Sequence, residues 1–190
     1  MNWIALLALA TAPTCNIGET WELDGSASRL GFTATLEGEP FHGRFPDFAV
    51  QLCFDPEQPD SAWLLVAVEL SSVATGDADR DAALAAPEWF NSETHPSARY
   101  QAAAFESLGD NRFTASGELQ IKHIQRGVPI NFQWISGDGS ARLKGMAQMI
   151  GDTEVNRLDF DLGRGDWADD ALIGHRVDVE FDLTLRRADH

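Results

Sequence analysis

Basic residues are scarce in this 190-residue chain: 14 Lys and Arg stand against 30 Asp and Glu, a formal charge of −16. Nucleic-acid binding is driven by Lys and Arg releasing counterions from phosphates, so that class is excluded. The same imbalance disfavours docking on anionic lipid headgroups through a basic patch. Cys15 and Cys53 are the only two cysteines, and neither sits in a C-x-x-C or C-x-x-C-H run. Zinc ribbons, thioredoxin-like redox chemistry and covalent haem attachment therefore have no support. No apolar run reaches the ~20 residues of a transmembrane helix. With 16 Gly and 8 Pro, the chain is neither collagen-like nor of low complexity. What is present is length and hydrophobic content (44%) sufficient for one domain with a real core.

No charged residue precedes Glu19, and Trp3 to Ala12 reads WIALLALATA. Residues 1–14 are read as an export signal, with small-residue cleavage positions at Ala8-x-Ala10 and Ala10-x-Ala12. The alternative is an apolar helix packed on the domain. Residues 15–190 are read as a single domain. In an oxidising compartment Cys15 and Cys53 could form one disulfide; otherwise Cys53 is a buried apolar thiol.

The remainder alternates with period two. Leu30, Phe32, Ala34 and Leu36 share one face, as do Phe48, Val50, Leu52 and Phe54, and the pattern recurs through Val177, Val179, Phe181, Leu183 and Leu185. One apolar and one wet face is the signature of antiparallel strands. Gly109-Asp110-Asn111, Gly137-Asp138-Gly139 and Gly151-Asp152 mark turns. The reading is an all-β antiparallel meander of about eight strands, interrupted by one short helix over 77–86 that opens on carboxylates and ends at Pro87. With no long helices to cover the apolar face, the sheet closes into a barrel, which also removes its edges. Eight strands enclose space for side chains or for one small ligand. Small inward residues (Ala34, Ala98, Ala102, Ala115, Gly117, Ala141, Gly145, Ala147) favour a hollow interior. A solid barrel that alternates small and large residues is the competing expectation.

Catalytic constellations are missing. There is no Gly-x-Ser-x-Gly elbow, and the five histidines form neither an i, i+4 pair nor His-Glu-x-x-His. Counting from Asp159 as a calcium loop puts Asp161 third, but Arg164 falls where Gly is required and Asp170 where Glu is. Gly163-Arg164-Gly165-Asp166 lacks the Lys-Ser/Thr of a phosphate loop. No catalytic residue, metal ligand or cofactor is assigned.

A series of motifs runs in order along the chain. Trp21-x-Leu23-Asp24, Ser28-x-Leu30-x-Phe32, Gly43-x-Phe45-x-x-Phe48, Phe54-Asp55-Pro56 and Ser72-Val73-x-Thr75-Gly76 come first. Arg80-Asp81, Trp89-Phe90-Asn91, Pro96-x-Ala98-x-Tyr100, Gly117-x-Leu119-x-Ile121, Val128-Pro129-Ile130, Arg157-x-Asp159-Phe160 and the closing Val177–Leu183 follow. Together they resemble the YceI-like family. The resemblance implies an eight-stranded lipocalin-like barrel with one short helical insertion, exported to the bacterial periplasm or secreted. It also implies a polyisoprenoid or quinone-like lipid held in an apolar tunnel, with a membrane b-type cytochrome as a further partner. His123–Gly127 departs from the family's usual turn, which bears on the tunnel mouth. Candidate wall residues are Phe32, Leu36, Phe48, Leu52, Trp89, Phe90, Tyr100, Phe113, Phe132, Trp134, Met149 and Phe160, each equally assignable to plain barrel core. Arg80 and Arg157 are headgroup candidates, since guanidinium donors match phosphate oxygens, and His42 is a third, beside Gly43 at a strand junction. Non-catalytic lipid carriage is the expected function; the alternative is a lipid- or quinone-linked enzyme or redox accessory that uses the barrel as a cradle.

Overall fold

The computed structural model describes residues 13–15, 19–136 and 145–188. The expected export signal at 1–14 therefore falls almost wholly outside the described residues, as do the expected Gly137-Asp138-Gly139 turn and Ala141. Among the described residues the chain forms ten antiparallel strands and one α-helix. The strands are β1 (Glu19–Leu23), β2 (Arg29–Leu36), β3 (Glu39–Arg44), β4 (Phe48–Phe54), β5 (Trp63–Glu69), β6 (Ser97–Gly109), β7 (Arg112–Ile121), β8 (Ile124–Ser136), β9 (Met146–Asn156) and β10 (Arg176–Arg187). The helix α1 (Ala78–Ala85) lies between β5 and β6.

Eight strands close a ring. β1 pairs with β4 on one side (Trp21 opposite Leu52) and with β10 on the other (Trp21 opposite Arg187), and β4 to β10 run in sequence between them. The expected eight-stranded barrel is this ring; the hairpin β2–β3 is added to it. One edge of β10 serves two neighbours. Leu185–Arg187 pair with β1, while Asp178–Asp182 pair with β2. At the junction Thr184 would lose both backbone partners. Instead its N–H donates to Ser28 Oγ (2.9 Å), and its carbonyl accepts from Asp24 N–H (2.8 Å). β3 ends the sheet, and its outer edge is tied by a bridge between Arg44 and Ala74.

Local sequence explains the connections. Glu37-Gly38 joins β2 to β3 and Asp110-Asn111 joins β6 to β7, each pair with φ positive at both residues. That geometry matches the twist of a tight hairpin and suits Gly, Asn and Asp. Asp77 caps α1 by accepting from the N–H groups of Asp79 (3.0 Å) and Arg80 (3.1 Å). These bonds, chiefly the one from Arg80, hold its carboxyl below the ordinary 3.8.

Inward side chains form two clusters at different heights. At the end closed by β1, Phe54 is the hub of an aromatic plug, with ring centroids 5.1 Å from Phe113, 5.7 Å from Phe132 and 4.8 Å from Trp134. Trp21 packs edge-on against Trp134 (5.1 Å) and donates its indole N–H to the Phe54 carbonyl (3.0 Å). The second cluster lies under α1 and includes Phe32, Leu70, Leu84, Phe90 and Val155.

Candidate functional site

Between the plug and the helix the barrel is hollow. The cavity measures about 490 Å³, within the roughly 300–1,000 Å³ typical of small-molecule sites. Its wall consists of alternate residues from most strands, among them Phe32, Phe48, Val68, Ala98, Val128 and Val179. Leu84, Trp89 and Phe90 roof it from α1 and the turn that follows. Leu36, Trp167 and Ile173 stand at the rim, where Trp167 is 42% exposed. Asp77, Asp79 and Arg80 supply the rim's charge.

The wall's polar atoms are turned away from the space they surround. Tyr100 lies across Gly117, where a Cβ would collide with the phenol ring. Its hydroxyl is bound into the barrel wall, 3.0 Å from the Val128 carbonyl and 3.2 Å from that of Ala115. Burial pushes this phenol well above its ordinary value of 10. The interior thus offers dispersion contacts and little hydrogen bonding.

Phe32, Leu36, Phe48, Trp89, Phe90, Tyr100 and Met149 line the cavity as expected candidates. Leu52, Phe113, Phe132 and Trp134 do not: they face inward but belong to the plug. Phe160, 1% exposed, packs in the upper cluster without bordering the space. The small residues divide in the same way. Ala34 and Ala98 border the cavity, whereas Ala102, Ala115 and Ala147 pack against the plug's rings, so much of the room they leave is filled by aromatics. Gly145 sits at a turn with φ +74° rather than in a strand wall. Phe41, Trp167 and Ile173 were not foreseen, because they lie on the short β3 and in an irregular loop.

The three headgroup candidates separate sharply. Arg157 is 2% exposed, and all five of its N–H groups are taken by backbone carbonyls. Nε donates to Gly174 (3.0 Å), Nη1 to Leu162 (2.8 Å) and Gly163 (2.6 Å), and Nη2 to Trp167 (2.6 Å) and Ile173 (2.8 Å). Its face lies 5.4 Å from the Trp89 ring. Burial lowers its pKa below the ordinary guanidinium range, with Asp170 partly offsetting this. Arg157 organises the loop at 157–175 and has no donor left for a headgroup, which corrects that assignment. His42 is also set aside: it lies exposed on β3, with Nδ1 2.8 Å from Thr33 Oγ1, and does not border the cavity. Arg80 remains. Its guanidinium covers the Phe41 ring at 4.5 Å and pairs loosely with Asp77 at 3.7 Å, with 29% of the side chain exposed.

The acidic loop is held internally. Asp161 pairs with Arg164, and its carbonyl accepts from Lys122 Nζ (2.8 Å); Asp170 accepts the His175 backbone N–H (2.7 Å). Among the described residues, no three His, Cys, Asp or Glu side chains converge to hold a metal ion. Cys15 and Cys53 are joined by a disulfide that ties the N-terminal segment to β4.

A profile of the YceI-like domain matches residues 21–185, which covers the ring, the hairpin and the helical insertion. The chain belongs to the YceI-like family. Among relatives, a UPF0312 protein of Azotobacter vinelandii is 28% identical over 70% of this chain and 71% of its own length. One from Ectopseudomonas mendocina is 27% identical over 83% and 86% respectively. Among solved structures, two share this barrel fold. Burkholderia cenocepacia BcnA has a TM-score of 0.79 at 23% identity, covering 85% of this chain and 98% of BcnA. A polyisoprenoid binding domain from Saccharophagus degradans, implicated in plant cell wall breakdown, has a TM-score of 0.66 at 17% identity, covering 88% and 98%.

Proposed function

We propose that this YceI-like protein binds and carries an amphiphilic isoprenoid lipid, with the tail in the barrel cavity and the head at the rim beside Arg80. The observation that carries this reading is the apolar cavity of about 490 Å³ above the aromatic plug. Each methylene moved from water into such a space contributes ~0.8 kcal/mol, so a chain of several isoprene units supplies most of the affinity. The polyisoprenoid binding domain that shares the fold supports the choice of ligand class. Carriage rather than catalysis is supported by the wall itself, whose Tyr100 and Arg157 polar groups are already bonded to backbone. The Cys15–Cys53 disulfide supports an oxidising compartment outside the cytoplasm, in keeping with an export signal over 1–14.

Native mass spectrometry of the purified protein tests the reading. A lipid bound one per chain, released intact and replaceable by geranylgeraniol, is the expected result. Delipidated protein with no saturable uptake of farnesol or geranylgeraniol refutes it. The role of Arg80 is tested separately: Arg80→Ala weakens binding of a geranyl phosphate analogue, and unchanged affinity removes Arg80 from the site.

A further inference from the structure

The barrel cavity ends blindly at the aromatic plug. On β10 its wall runs from Val177 near the rim down to Leu183, and on β2 from Leu36 down to Leu30. The next inward residue of β10 is Leu185, which is 0% exposed and packs in the plug. Met149 marks the same boundary on β9. It borders the cavity, belongs to the plug cluster and is paired with Trp134 of β8. Above this level two large rings lie back against the wall instead of crossing the bore. Phe181 lies over Gly151 and Tyr100 over Gly117, where an added Cβ would collide with either ring.

Depth and volume give the same capacity. From Val177 to Leu183 is six residue steps, which at ~3.3 Å each and a tilt of about 40° make a bore about 15 Å deep. An isoprene unit adds four main-chain bonds, or about 5 Å at the ~1.2 Å advance per bond of an extended chain. The depth therefore takes about three units. A volume of about 490 Å³, at the ~30 Å³ that one water-sized group occupies in a liquid, holds about sixteen such groups. Three isoprene units have nearly that many carbons. We infer that the plug is a chain-length stop: about three isoprene units fill the bore, the tail end abuts Met149, and a fourth unit rests at the rim on Leu36 and Trp167. Units beyond the fourth stay in water and add no affinity. The inference rests on the lipid-carrier reading and adds to it the length of chain selected and the residue that sets it.

Titration of delipidated protein with geraniol, farnesol, geranylgeraniol and geranylfarnesol, followed by tryptophan fluorescence, tests the stop. Affinity is expected to rise by at least about tenfold from geraniol to farnesol, because the added unit is buried. From geranylgeraniol to geranylfarnesol it changes by less than about threefold, because the added unit stays outside. Met149→Ala lowers the floor by about the length of the lost side chain. It tightens geranylgeraniol by roughly tenfold, since more of that chain enters, and leaves farnesol within about threefold of the parent. Ile130→Ala, at the same boundary, replaces it if the first variant does not fold, with the same expected pattern. Affinity that keeps climbing through geranylfarnesol in the parent overturns the stop while leaving lipid carriage intact. So does a variant that shifts farnesol and geranylgeraniol equally. Absence of saturable binding at every chain length overturns the carrier reading, and the stop with it.

Discussion

Replacing Arg157 by Lys retains the charge and most of the length but removes the planar fork. Arg157 satisfies five carbonyls in the described structure. Lysine has three N–H groups, so at least two buried carbonyls lose their donor. Each unpaired buried polar group costs about 1–3 kcal/mol, giving about 2–6 kcal/mol in all. The contact with Trp89 is weakened too. A loss of about 3 kcal/mol lowers Tm by roughly 6–12 °C for a domain of this size. Urea unfolding measures the global share of that loss. The loop at 157–175 could instead open locally, and hydrogen exchange at Leu162, Gly163 and Gly174 detects this, since their N–H groups bond to Arg157, Glu88 and Thr35 carbonyls respectively. A variant within about 0.5 kcal/mol of the parent by unfolding, with unchanged exchange at those amides, refutes the assignment of Arg157 as the loop's organiser.

Ala98→Phe places a ring in the cavity wall at a position 5% exposed and bordering the space. Displacing two to three methylenes of a bound tail costs about 2 kcal/mol, so affinity for geranylgeraniol falls by roughly 30-fold in a fluorescence displacement assay. An unchanged affinity places the tail elsewhere. Reducing the Cys15–Cys53 disulfide, which spans 38 residues, removes at most about 4 kcal/mol on the chain-entropy account. Comparing Tm with and without reductant tests this, and no change at all shows that the tether does not constrain the unfolded chain. Asp77 titrates below its ordinary 3.8, so its contribution to α1 is complete above that pH and is lost as pH falls through the lower folded value. Exchange at the Asp79 and Arg80 amides should therefore rise in acid below about pH 4, relative to the intrinsic rate; flat protection across that range refutes the cap's role.

Strand alternation made the barrel legible, because period two assigns each side chain to the interior or to solvent. It does not assign height. Phe113 and Phe132 lie on the same inward rows as Leu119 and Val128, yet the first pair belongs to the plug and the second to the cavity wall. Register decides this: pairing of Phe113 with Phe132, and of β1 with the far end of β4, gathers the large rings at one level. The alanines misled for a related reason. An alanine beside another small side chain reads as empty space, but Ala115 and Ala147 are 0% exposed because rings from other strands fill the gap. Arg157 was illegible for a different cause. Its partners are backbone carbonyls of an irregular loop, and a carbonyl has the same identity in every residue, so no spacing of side chains announces it. Arg80 was legible as a headgroup candidate through the Arg80-Asp81 motif and its guanidinium; its stacking on Phe41 was not, since β3 is short and its alternation slight.

The double service of β10 has a consequence for how the polypeptide reaches its native state. β1 and β2 each find one of their two partners more than 140 residues away, between Asp178 and Arg187. β1 can pair with β4, and β2 with β3, before that, but neither completes its second ladder until β10 is available. Such distant pairings are slow to form, so ring closure waits for β10, and a nascent chain that has not yet made β10 stays unsealed, its greasy interior accessible.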